Sequence, residues 1–171
     1  MEIAIIVAID QQRAIGKDGD QLAYISGDLK RFKQLTTGNA IVMGRKTFEA
    51  LPKGALPNRL NIVVSRNKDL QLPGCIVVSS TEEAVEAARE YRKLFVIGGG
   101  EIYKAFLPYS DTLHLTVIHH NFEGADTWFP EWSAQEWHCT EKSEVLTDEK
   151  SGLLYHYEIL VRTSQVRLTF S

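Results

Sequence analysis

Leu94-Phe95-Val96-Ile97-Gly98-Gly99-Gly100-Glu101-Ile102-Tyr103 passes from an apolar run through three glycines into the start of a helix. Ile41-Val42-Met43-Gly44-Arg45-Lys46-Thr47 makes the same transition earlier in the chain. Each ends a buried strand with a residue that lets another molecule approach the backbone. Each then offers free N–H groups at a helix N-terminus, where the helix dipole favours an anion. Arg45 and Lys46 add positive charge at the first joint. A molecule with two or more phosphates could be held between the joints, which points to a dinucleotide. Gly-rich strand–helix turns also arise for steric reasons alone, so a structural role stands beside the functional one. The G-x-G-x-x-G fingerprint is absent, because Tyr103 stands where the third glycine would fall. There is no P-loop lysine pattern either.

Working outward, five apolar runs alternate with polar or helical stretches: Ile3–Ile9, Ala40–Met43, Asn61–Ser65, Cys75–Ser79 and Leu94–Ile97. Most are continuous rather than alternating, as in strands covered on both faces. Ser26 is placed to cap a helix running to Thr36, and Ser80 with Glu83 fits a capping box before Ala84–Tyr91. Another helix starts near Gly100 and stops before Pro108. The fold expected is α/β: a single domain with a mainly parallel central sheet flanked by helices. Leu113–Val117 and Leu154–Leu160 alternate, and Thr147–Gly152 between them reads as a hairpin tip. An antiparallel C-terminal hairpin is therefore expected at the sheet edge. The domain is expected over residues 1–162, with a tail over 163–171 to which no role is assigned.

At 171 residues and a formal charge of −3, the chain is one ordinary globular domain and not a general nucleic-acid binder. No run reaches transmembrane length, and no basic segment precedes the first apolar stretch. Cys75 and Cys139 lie far apart without partner motifs, and the five histidines have no metal-like partners, so no metal is expected. A cytoplasmic monomer is the expectation.

Placed on a helical wheel at about 100° per residue, Asp28, Phe32 and Leu35 share one side of the helix that begins at Ser26. Lys30, Arg31, Lys33 and Gln34 fall on the other. Asp28 is either a first-turn partner of the helix dipole or a carboxylate in an apolar pocket. The second reading suits proton handling, or a bidentate match to an N–C–N edge of a heterocycle. Asp10–Tyr24 shows no apolar period and is expected to be a structureless lid. Arg59 precedes one strand and Ser65-Arg66 follows it. They are either solvated strand ends or anion captors at two rims of a cleft.

Together these landmarks resemble the dihydrofolate reductase family. The ordered set is Ala14-Ile15-Gly16, Asp28-Leu29-x-x-Phe32, Ile41 to Phe48, Leu56-Pro57-Asn58-Arg59, Val96 to Tyr103 and Asp126-Thr127-Trp128-Phe129-Pro130. It covers Ile3 to Arg162. The resemblance implies reduction of 7,8-dihydrofolate by NADPH, with hydride to pterin C6 and a proton to N5. It implies that Asp28 is catalytic and binds the pterin 2-amino group and N3, with Thr116 in support. It implies a substrate pocket of Ile6, Val7, Ala8, Leu29, Phe32, Leu51 and Ile97, with Arg59 and Lys33 at the glutamate carboxylate. It implies a 2′-phosphate pocket of Arg45, Ser65 and Arg66, and a pyrophosphate site of Lys46, Thr47, Gly99, Gly100 and Glu101. Ala8 and Ile15 would orient the carboxamide. Gly16, Gly44, Ile97, Gly98, Ile102 and Tyr103 would complete the cofactor site. It also implies a cis peptide between Gly98 and Gly99. Two departures stand out: Leu22 and Ala23 occupy the positions where the family usually has Pro-Trp, and the loop around Gly124–Thr127 is one residue longer than the commonest spacing. The competing readings are a riboflavin-pathway type of reductase on the same fold, which has no need of Arg59, and a non-catalytic NADP-binding module, which has no need of Asp28.

Overall fold

The structure is a computed structural model that describes residues 1–67, 69–163 and 168–170. Among these residues nine strands form one sheet. The chain begins with β1 (Glu2–Ile9), β2 (Ala14–Lys17), β3 (Asp20–Gln21), α1 (Ser26–Thr36), β4 (Ala40–Gly44) and α2 (Arg45–Glu49). Then come β5 (Leu60–Val64), β6 (Cys75–Val78), α3 (Thr81–Ala87), β7 (Lys93–Val96), α4 (Gly100–Phe106) and a 3-10 turn at Leu107–Tyr109. The last third holds β8 (Thr112–Ile118), β9 (Thr127–Trp128), β10 (Trp137–Lys142), β11 (Leu146–Thr147) and β12 (Leu154–Arg162).

The sheet runs β10-β12-β8-β1-β7-β4-β5-β6, with β11 paired to β12. The strands from β8 to β6 are all parallel, and their continuous apolar runs reflect it: Ile3, Ile5, Ile41, Val42, Leu94 and Phe95 are fully buried. The sheet turns antiparallel where β12 joins β8 and β10 joins β12. These are the antiparallel C-terminal strands expected at the edge, and β8, parallel to β1, joins them to the central sheet. The turn over 147–152 joins β11 to β12, not the two long strands. β10 escapes a pattern reading because five of its six residues are exposed.

Two helix starts differ in how they are capped. Ser80 accepts the Glu83 N–H at 3.1 Å, as the capping box requires. Ser26 is not a cap: Ile25 holds that position with extended backbone and no side-chain bond. The Asp148 carboxylate, on the turn before β12, lies near that helix start, but its hydrogen bonds come from the Ser151 hydroxyl and N–H at 2.6 and 3.1 Å. The helix that Ser80 caps, α3, ends at Ala87 rather than at Tyr91.

The segment expected to be structureless is partly ordered. β2 and β3 form a small hairpin turned at Asp18 and Gly19, whose φ values are 52° and 80°, and β2 also pairs with β9. Its hydrogen bonds come from far along the chain, so no local apolar period betrays it. Of the tail expected over 163–171, residues 164–167 and Ser171 lie outside the described residues. Phe170 stacks on Tyr109 with ring centroids 4.0 Å apart, and the Leu168 N–H donates to the Pro108 carbonyl at 3.0 Å.

Candidate active site

The C-terminal ends of the parallel strands lie side by side at one edge of the sheet, the place where such sheets bind ligands. β1 brings Ile6, Val7 and Ala8 to it, and Ala8 is the register partner of Thr116 on β8. Ile6, Leu51 and Ile97 pack against one apolar cluster with Phe95 and Met43. Phe32 is half-buried on α1, Leu29 is half exposed there, and Lys33 is exposed. Arg59 reaches the C-terminal end of the same helix, where its guanidinium donates to Thr36 Oγ1 at 3.1 Å and to the Pro57 carbonyl at 2.9 Å. Burial pulls its pKa below the ordinary arginine value.

Asp28 lies in the first turn of α1, partly buried, and accepts a hydrogen bond from the Thr116 hydroxyl at 2.5 Å. Burial is the largest influence on its carboxyl and raises its pKa, while the Thr116 bond and the Arg31 charge pull the other way. The wheel put Arg31 on the solvent side with Lys30 and Lys33. The structure instead lays its guanidinium over the Tyr157 ring, 4.0 Å from the centroid. Tyr157 is the register partner of Thr116, so it stands one strand away from the acid's partner.

The two glycine joints meet. The Gly44 N–H donates to the Gly98 carbonyl at 2.9 Å, and the Gly98–Gly99 peptide is cis. A Cβ on Gly98 would stand 3.3 Å from Thr47 Oγ1, and one on Gly100 would stand 2.8 Å from Thr127 Cγ2. A Cβ on Gly44 would meet Ile102 at 3.2 Å. Neither α2 nor α4 has a side-chain cap, so no side chain fills the donors at either N-terminus. Buried Tyr103 donates its hydroxyl to the Ile6 carbonyl at 2.9 Å. Arg45 pairs with Glu49 at 3.2 Å, Ser65 Oγ accepts the Asn67 N–H at 3.2 Å, and Arg66, Lys46 and Glu101 are exposed. Thr47 is half-buried between them.

The lid hairpin lies above the second joint, with Ile15 Cδ1 at 3.9 Å from a Cβ on Gly100 and Gly16 against Thr127. Two carboxylates to which the sequence pattern assigns no role fasten it. Buried Asp10 accepts from the N–H groups of Gln12, Ala14 and Phe122 at 2.8, 2.8 and 3.1 Å. Asp126 accepts the Asp18 N–H at 2.9 Å, and its own N–H donates to the Gly16 carbonyl at 3.0 Å. Leu22 and Ala23 are half-buried, and Ala23 packs against a small cluster of Ile25, Ile118 and Tyr155.

Comparison with known proteins agrees with this geometry. A family model described as dihydrofolate reductase matches residues 2–162. The chain is 43% identical to a dihydrofolate reductase of Bacillus subtilis (strain 168) over 159 residues, 93% of this chain and 92% of the relative. It is 38% identical to one from Staphylococcus haemolyticus over 162 residues, 95% and 96% of the two chains. Among solved structures it is similar to dihydrofolate reductase from Enterococcus faecalis complexed with NADP(H) and RAB-propyl. The TM-score is 0.87 at 39% identity, covering 95% of this chain and 97% of that one.

Proposed function

The chain belongs to the dihydrofolate reductase family, and from that premise we propose which residues carry its NADPH-dependent reduction of 7,8-dihydrofolate to 5,6,7,8-tetrahydrofolate. When bound, NADPH supplies the hydride that goes to pterin C6. The joints suit its phosphates: glycines at 44, 98 and 100 keep side chains out of spaces already close to Thr47, Thr127 and Ile102, and both helix starts keep their N–H groups uncapped. Lys46, Thr47, Gly99, Gly100 and the Glu101 backbone hold the pyrophosphate. Arg45, Ser65 and Arg66 hold the 2′-phosphate, with Arg45 exchanging its exposed contact to Glu49 for the ligand. Ala8 and Ile15 orient the carboxamide, and Gly16, Gly44, Ile97, Gly98, Ile102 and Tyr103 complete the walls.

Asp28 takes the pterin. A carboxylate accepts from two parallel N–H donors, and the 2-amino group with N3–H presents that pair. Thr116 holds one oxygen, so the acid keeps a fixed orientation. Burial makes its charge unfavourable until the pterin donors arrive, so it favours the protonated ring and helps N5 receive its proton from solvent. Ile6, Val7, Ala8, Leu29, Phe32, Leu51 and Ile97 enclose the rings, and Arg59 with Lys33 takes the glutamate carboxylate. A cytoplasmic monomer without nucleic-acid or membrane partners fits the charge of −3, and no helix among the described residues is long and apolar enough to cross a membrane.

The Asp28–Thr116 bond on the apolar side of α1 carries this reading. The test is NADPH oxidation with dihydrofolate, followed by the loss of the reduced nicotinamide's absorbance at neutral pH, for the parent chain and for Asp28→Asn. Rapid oxidation in the parent and its loss in Asp28→Asn is the expected result. An inactive parent chain, or an Asp28→Asn variant as fast as the parent, would falsify the assignment.

A further inference from the structure

Arg31 is a cation on an aromatic seat. Its guanidinium rests on Tyr157, which pairs in register with Thr116, which in turn donates to Asp28. Around α1, steps of about 100° put Leu29 and Lys33 on one flank of Asp28 and Arg31 on the opposite one. Among the described residues Arg31 forms no ion pair with a carboxylate. It lines a solvent-open recess together with Tyr157, Thr140, Glu141 and Lys142.

We propose that Arg31, seated on Tyr157, is a positioning residue for the reaction: it places a fixed positive charge behind the Asp28–Thr116 pair and so sets the pH window of turnover. The proposal rests on Asp28 being the acid of the proposed reaction. Few other groups compete for that part. From β8, Asp28 meets Thr116, which has no charge, while His114 further down the strand is held neutral by burial, with its pKa pushed down to about 4. From β12 come Tyr155 and Tyr157, and from α4 comes Tyr103. Burial first, then the Asp28 charge, raises the Tyr103 and Tyr157 hydroxyls above the ordinary phenol range, so they remain uncharged dipoles. Glu158 points its carboxylate to His156 at 2.7 Å. In the recess, Glu141 and Lys142 are exposed, opposite in sign and screened by salt. Arg31 is left as the fixed charge that opposes burial at Asp28. A planar guanidinium holds this place on a ring without needing a carboxylate partner.

The experiment compares the full chain with Arg31→Gln and Arg31→Lys by two readouts. One is the midpoint of the fall in hydride transfer with rising pH, in single turnovers with NADPH and dihydrofolate. The other is the carboxyl 13C titration of Asp28 in the protein without ligands. Arg31→Gln is expected to move both midpoints upward by about half a pH unit. NADPH affinity should not change, and Arg31→Lys should restore most of the shift, because it keeps the charge. Unmoved midpoints in Arg31→Gln, or a shift that Arg31→Lys fails to restore, would overturn the proposal. A carboxyl titration that moves while the turnover profile stays fixed overturns it differently: it removes Asp28 from the reaction and leaves the seat of Arg31 intact.

Discussion

Asp28, on α1, and His114, on β8, are two ionisable side chains in a largely apolar setting, and burial acts on them in opposite senses. For Asp28 the folded state raises the carboxyl pKa above its ordinary 3.8, so ionisation destabilises the fold once the pH passes that value. Asp28→Asn should therefore lower turnover at neutral pH by roughly a hundredfold or more. The same substitution should raise the thermal midpoint at pH 7, and calorimetry at pH 3 should show that gain gone. NADPH affinity should not move. For His114 the folded pKa is about 4 against an ordinary 6.5, with burial the largest cause and the Arg31 and Lys93 charges adding to it. The unfolded chain thus takes up a proton that the native one refuses. Stability should fall as the pH drops from about 6.5 to about 4, by up to about 3 kcal/mol from this group. Neither ring nitrogen has a hydrogen-bond partner among the described residues, and the ring lies 6.0 Å from Phe95, so His114→Phe should flatten that acid limb in urea titrations. A limb unchanged by His114→Phe would mean that another group carries it.

Helix α1 brings the acid to the cleft, and its first turn fits closely against β12. A Cβ on Gly27 would stand 2.6 Å from the Tyr155 hydroxyl, and Gly27 has an ordinary helical backbone, so closeness rather than dihedral freedom demands glycine there. Gly27→Ala should destabilise the protein by about 1–3 kcal/mol through overpacking. The double variant with Tyr155→Phe should recover most of this, whereas two strictly additive losses would argue against the contact. The same helix shows what a sequence can and cannot disclose. Its apolar side was legible, because Asp28, Phe32 and Leu35 recur at the helical period. The place of Arg31 was not, since a wheel says which side a residue leaves by but not that Tyr157 waits there; that needs the β8–β12 register. The parallel strands were legible as continuous apolar runs. β10, exposed along most of its length, and the lid hairpin, fastened by Asp10 and Asp126, carry no period to read. The cap of α1 is not legible either: Ile25, an apolar residue with no side-chain acceptor, holds the position ahead of Ser26.

Across the whole molecule, contacts distant in sequence hold both ends of the chain. Phe170 lies beyond the last strand, stacks on Tyr109 and packs against the larger core cluster. Phe170→Ala should lower stability by about 1 kcal/mol, read as a drop of a few degrees in Tm, with KM for both substrates unchanged. A change in KM would place the tail's influence in the cleft instead. At the other end, β1 lies between β7 and β8 in the middle of the sheet, and the Ile3 N–H donates to the Asp111 carboxylate, 108 residues away, at 2.9 Å. On a ribosome, that strand emerges before either neighbour is made. At about 5–20 residues per second, the apolar segment Ile3–Ile9 waits roughly 5–20 seconds for Asp111 and β8 to be synthesised. Nascent chains stalled before Thr112 should remain open to protease, and chains stalled with β12 clear of the exit tunnel should resist it. For that interval the centre of the finished sheet is a naked hydrophobic strand, the kind of surface that chaperones guarding newborn chains are built to cover.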